Sequence, residues 1–208
     1  MRRILISLTL LLGLAACAAP EAPFADDETV ARYSYKDNRP RALTLFTVVN
    51  NRTGAGAHTG LLINASERVL FDPAGSFYYE RAPERNDLLY GISPAVEKAY
   101  VGAHARSTYH VVIQTIEVDA QQAETAFALA RAKGAAAPAY CANATSSVLQ
   151  KVPGFEEIET TFYPNELMKQ FAKFPGVKTS IYREDDSPDL DKALAQLNAD
   201  ELLADEIQ

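Results

Sequence analysis

The stretch Thr108–Val118 constrains the fold most. Val111, Val112, Ile113, Ile116 and Val118 put apolar side chains on both faces of an extended segment, which suits a strand inside a domain rather than one wetted on one side. Other strands come before it. Ala42–Val49 is rich in β-branched and aromatic residues, Asn50–Gly56 supplies turn residues, and Ala57–Ile63 reads as the next strand. A second turn at Asn64–Glu67 leads into Arg68–Asp72, so the three form a meander. From Pro73 to Ser107 the chain is rich in Pro, Gly, Tyr and charge, which predicts long loops with short elements rather than core, of the kind that carry substrate contacts. Helices follow Val118. Asp119 with Gln122 three positions on forms a capping box, Ala123, Phe127 and Ala130 share the inner side, and Gly134 ends the helix. A second helix is expected from around Tyr140 to about Gln150, and a third over Asn165–Phe174. Strands first and helices later predict an α+β domain.

Both ends differ in character from this body. Arg2 and Arg3 precede an apolar run, Ile4–Leu14, too short for the roughly 20 residues a membrane span needs, so it reads as a cleaved leader. Its end, Leu14-Ala15-Ala16-Cys17, resembles the signal of bacterial lipoproteins. That resemblance implies removal of residues 1–16 and acylation of Cys17, with the membrane as a partner through the lipid. Ala18 rather than Asp after that cysteine implies delivery to the outer membrane, facing the periplasm, in a host that has one. Residues 17–33, Ala and Pro followed by acidic residues, read as a tether to one domain over 34–183, and 184–208 as an acidic tail. The whole chain has 20 basic and 27 acidic side chains; losing Arg2 and Arg3 leaves 18 against 27, or −9. Residues 184–208 hold nine acidic residues and only Lys192 as a base, giving −8, so the rest is nearly neutral. Neither part offers the basic footprint that nucleic acid requires. In the tail, Ser187-Pro188-Asp189 followed by Leu190, Leu194 and Leu197 predicts an amphipathic helix.

With Cys17 given to a lipid, Cys141 has no cysteine to pair with in the chain. A lone thiol in an exported protein is either a small core hydrophobe or a reactive group. Gly134, the alanine run and Pro138 break the preceding helix and place Cys141 in the first turn of the next, where unpaired backbone N–H groups favour a thiolate. Ala144, Thr145 and Val148 on the same face are small enough for that helix to lie close against a sheet. A thiolate nucleophile needs a group to hold and deliver a proton, and histidine suits. His58 is the best placed of the three: it opens a strand, with Gly60 on the same face leaving room beside the imidazole. His110, inside the apolar strand, is expected to be a satisfied core histidine, and His104 a solvated loop residue. Asp72, ending the next strand before Pro73, is placed either to orient the ring or to start a turn. One cysteine and three scattered histidines show no metal-ligand spacing, and no glycine-rich phosphate loop occurs, so neither metal nor cofactor is expected.

His58-Thr59-Gly60-Leu61-Leu62-Ile63, the hairpin into Arg68–Asp72, and Tyr140-Cys141 opening a helix resemble the circularly permuted branch of the NlpC-type papain-like cysteine hydrolases, in which the histidine strand precedes the cysteine helix. The resemblance implies a papain-like antiparallel sheet packed against helices, with Cys141 as nucleophile, His58 as base and general acid, and Asp72 as the polar third residue. It implies a hydrolase or acyltransferase acting on an amide, with peptidoglycan stem peptides as the abundant amide of that compartment. Lipid amides and acyl esters are implied as well, as for relatives of lecithin retinol acyltransferase. The reading from another class is a noncatalytic lipoprotein that binds cell wall or an envelope protein.

Overall fold

The computed structural model describes residues 23–185 together with Ser187, Asp189, Lys192 and Ala195. The leader, Cys17 and most of the acidic tail lie outside the described residues. Seven strands form one sheet: β1 (Ala42–Asn50), β2 (Gly56–Asn64), β3 (Arg68–Phe71), β4 (Glu84–Arg85), β5 (Leu88–Leu89), β6 (Tyr109–Glu117) and β7 (Lys178–Tyr182). The spatial order is β4-β5-β3-β2-β1-β6-β7, and every neighbouring pair is antiparallel. Five helices are described: α1 (Asp27–Tyr33), α2 (Pro94–His104), α3 (Ala120–Lys133), α4 (Cys141–Leu149) and α5 (Pro164–Phe171). The chain is thus α+β. Among the described residues no helix is long and apolar enough to cross a membrane.

Alternation along the strands sorts the core into two layers. Leu43, Leu45, Leu61, Ile63, Val69 and Phe71 pack with Ala123, Ala126 and Ala130 of α3, Ala144, Val148 and Leu149 of α4, and Leu167 and Phe171 of α5. The intervening positions, Phe46, Val48, Leu62, Leu70 and Val111, pack with Val96, Ala99, Tyr100 and Val101 of α2 and with Phe77 and Tyr79. Both faces of the sheet are therefore covered, which is why β6 is apolar on both sides. The run of alanines on α3 brings its backbone close to the sheet, and the capping box forms as expected: Gln122 N–H donates to Asp119 Oδ1 at 2.7 Å, and Asp119 N–H donates to Gln122 Oε1 at 2.9 Å.

The segment 73–107, expected to be loop rather than core, supplies much of the second layer. Phe77, Tyr79, Leu89 and Ile92 are buried in that layer, and Leu88 and Tyr90 are buried in the first. In α2, Val96 N–H donates to the Ser93 cap at 3.3 Å and Pro94 occupies the first turn. Val96, Ala99, Tyr100 and Ala103 follow at helical spacing and are buried. The local surplus of Pro, Gly and charge hides this short periodic run. The strand β7 was not expected either. It is an edge strand, exposed along most of its length, and lacks the apolar alternation that marks a half-buried strand. Residues 23–33, read from sequence as tether, carry α1, capped by Asp26. They are tied to the β4–β5 hairpin: Ala25 N–H donates to Glu84 O at 2.8 Å, Asn86 N–H to Pro23 O at 2.8 Å, and Arg85 to Ala25 O at 2.7 Å.

Candidate active site

The strand β3 ends at Phe71, opposite Leu61 of β2. Residues 56–60 of β2 therefore run on without a strand partner on that side, and the start of α4 comes in there. Its first residue, Cys141, is 6% exposed. Its sulfur accepts hydrogen bonds from the backbone N–H groups of Thr59 and Ala142 and interacts with the His58 ring. No side chain caps α4, so the partial positive charge of its first turn faces the sulfur. Burial alone would push the Cys141 thiol up; the hydrogen bond from His58, its charge and the two backbone donors outweigh this and hold the thiol below its usual value.

His58 Nε2–H donates to Asp72 Oδ1 at 2.7 Å, which leaves Nδ1 free for the sulfur. Burial opposes a charged ring, but the Asp72 carboxylate and the Cys141 sulfur prevail, and the His58 pKa is pushed up to about 10. Asp72, 4% exposed, is held below the carboxylate range despite its burial, chiefly by His58 and further by the Tyr100 hydrogen bond. The three residues singled out from sequence thus meet: a thiol, an imidazole and a carboxylate in one hydrogen-bonded line. In this arrangement the thiolate and imidazolium forms stabilise each other.

Two further members come from α2. Tyr100 Oη–H donates to the same Asp72 oxygen at 2.6 Å, and burial with the nearby carboxylate raises the Tyr100 pKa far above its ordinary value, so it remains a donor. His104 ends α2 and is half-buried, contrary to the expectation of a solvated loop residue. Its ring lies 4.3 Å from that of Tyr100 and stacks on His58 at 5.7 Å with 12° between planes. Its Nδ1–H donates to Tyr100 O at 2.8 Å, and burial lowers its pKa, so it packs as a neutral ring against His58. His110 also differs from expectation: it is half-buried near the start of β6, donating from Nδ1 to Asn51 Oδ1 at 2.7 Å, because the sheet ends there. The gap at Gly60 is real but already occupied. A Cβ there would fall 2.6 Å from Tyr100 Oη and 3.3 Å from Asp72 Oδ1.

The ligand atoms of His58, Asp72 and His104 lie within 4.8 Å of one another, a grouping able to hold a metal ion. They are far apart in sequence, so no ligand spacing announced them. An ion at that point would have to displace the 2.7 Å bond between His58 and Asp72. Tyr140, which precedes Cys141 in the chain, and Phe162 are exposed and meet edge to face at 5.0 Å, an apolar surface pair adjoining the start of α4. Comparison with known proteins gives no match: no family model, no curated protein and no solved structure matches the chain.

Proposed function

We propose that the protein is an envelope-tethered cysteine hydrolase or acyltransferase acting on an amide, with a papain-like site in permuted order. The observation that carries the reading is the line Cys141–His58–Asp72 at the start of α4: the His58–Asp72 bond is 2.7 Å, and the sulfur is held by His58 and two backbone N–H groups. The thiolate attacks the acyl carbon, and electrons move to the carbonyl oxygen, which takes a hydrogen bond from the backbone N–H of Cys141 in this reading. The tetrahedral species collapses as His58 gives its proton to the leaving amine, forming a thioester. Water, or another nucleophile that gives up a proton to His58, then releases the acyl group and restores the thiolate. Asp72, fixed by Tyr100, holds the ring with Nε2–H directed to the carboxylate and Nδ1 to the sulfur. The exposed pair Tyr140 and Phe162 beside the start of α4 offers an apolar surface that suits peptide or lipid amides. The resemblance of Leu14–Cys17 to a lipoprotein signal supports attachment to a membrane through Cys17, and Ala18 after it supports the outer membrane, facing the periplasm, in a host that has one.

Iodoacetamide labelling of the folded chain tests this. Cys141 should react near neutral pH faster than a free thiol of pKa about 8.5, and His58→Ala should slow it more than Asp72→Asn. A Cys141 that stays unlabelled until the protein unfolds, or labelling indifferent to His58, would leave the noncatalytic lipoprotein as the better account.

A further inference from the structure

The hairpin between β4 and β5 turns on Asn86 and Asp87, with φ of 51° and 65°. Both are left-handed, as a type I′ turn requires, and Asn and Asp are among the few residues that tolerate this. The turn chemistry does not explain why Asp87 is only 7% exposed, since hairpin tips ordinarily face water. Four hydrogen bonds converge on it. Its N–H donates to Glu84 Oε1 at 3.2 Å, and its carbonyl accepts from Asp72 N–H at 2.8 Å. Its carboxylate Oδ2 accepts from Ala74 N–H at 3.0 Å and from Ala136 N–H at 2.6 Å.

The two alanines belong to the two loops that deliver the active groups. Ala74 lies just after Asp72, and Ala136 shortly before Cys141. Each loop contains a left-handed alanine, Ala74 at φ 55° and Ala139 at φ 68°. Such conformations are strained for a residue with a Cβ and persist only where the surroundings impose them. The Asp87 carboxylate joins the two loops directly, so the path Asp72–Ala74–Asp87–Ala136–Cys141 is closed on its other side by His58. We propose that Asp87 is a positioning residue that sets the placement of Cys141 against the His58–Asp72 pair. It acts through the backbone of both loops and does not touch the reacting atoms. The inference rests on the reading of Cys141 and His58 given above.

The test uses the full chain and the rate of iodoacetamide labelling at Cys141 across pH. Asp87→Gly keeps the left-handed turn, which Asn-Gly forms readily, and removes the carboxylate; Asp87→Asn keeps the shape and removes the charge. Asp119→Ala, which removes the cap of α3 away from the site, controls for lost stability. Asp87→Gly should slow labelling at neutral pH by about tenfold to a hundredfold, the scale of a small misplacement of reacting groups, and move the labelling midpoint to higher pH. Asp87→Asn should fall between it and the wild type, and Asp119→Ala should melt lower yet keep the wild-type rate and midpoint. Folded Asp87→Asn or Asp87→Gly protein with the wild-type rate and midpoint would overturn the proposal. An equal loss in Asp119→Ala would overturn it too, because general loosening would then suffice. Labelling that depends on His58 but not on Asp87 strikes this inference alone; labelling indifferent to His58→Ala overturns both readings.

Discussion

Replacing Gly60 by alanine should damage the site and the stability together, by an amount the geometry bounds. The added Cβ would stand 2.6 Å from Tyr100 Oη, where ordinary contact begins near 3.4 Å, so the hydroxyl would have to retreat by roughly 0.8 Å to reach normal packing distance. Tyr100 has little freedom to do so. It is 1% exposed, with the rings of Phe46 at 5.4 Å, Phe77 at 5.2 Å and His104 at 4.3 Å around it. Retreat also breaks its 2.6 Å bond to Asp72. Overpacking costs about 1–3 kcal/mol, a hydrogen bond to a charged group about 1.5–3 kcal/mol, and the backbone gain of alanine over glycine in a strand returns about 0.5–1 kcal/mol. The expected loss is therefore about 2–5 kcal/mol, read from urea denaturation with an unchanged slope. Tyr100→Phe removes the oxygen that clashes, so Gly60→Ala with Tyr100→Phe should cost less than the sum of the two single changes by about 1–2 kcal/mol. A Gly60→Ala protein within about 0.5 kcal/mol of wild type, or strict additivity in the cycle, would refute the argument that this glycine makes room for the Tyr100–Asp72 pair.

Arg68, 3% exposed, donates to Ile92 O at 2.6 Å and Glu97 Oε2 at 2.6 Å and sits 3.3 Å from Asp37. Arg68→Ala strands Ile92 O and Glu97, while Asp37 keeps its 2.6 Å bond from Arg39, and should cost about 3–5 kcal/mol in urea denaturation, with Arg68→Met costing less; a loss under about 1 kcal/mol would show that the cluster is not held by this side chain. His58 titrates at 6.5 in the unfolded chain and at about 10 in the folded one, so the folded state binds that proton more tightly. Its stabilisation is complete below pH 6.5 and is lost as pH rises through about 10. Melts across that window should therefore fall more steeply for wild type than for His58→Ala, and parallel curves would count against an imidazolium at that position.

The sequence by itself determined where the meander, β6, α3 and the start of α4 lie, and which residues on them are candidates for chemistry. Alternation marks the meander and β6, Asp119 with Gln122 starts α3, and Gly134 with Pro138 ends it and leaves Cys141 to open α4. These are short-range effects, set by dihedral preference, capping and the period of burial, and they are written into neighbouring residues. The same parity that puts His58 and Gly60 on one face could not say what stands beyond that face. Tyr100 and His104 come from a helix hidden in a segment whose composition imitates loop, and Asp87 from a turn whose residue types have a sufficient local explanation. Gly60 displays the difference most plainly: the missing side chain announces a gap beside the imidazole, while only packing decides that the Tyr100 hydroxyl and the Asp72 carboxylate fill it. Long-range placement belongs to the tertiary structure because it depends on which distant segments fill the space left by others, and no local pattern encodes that choice.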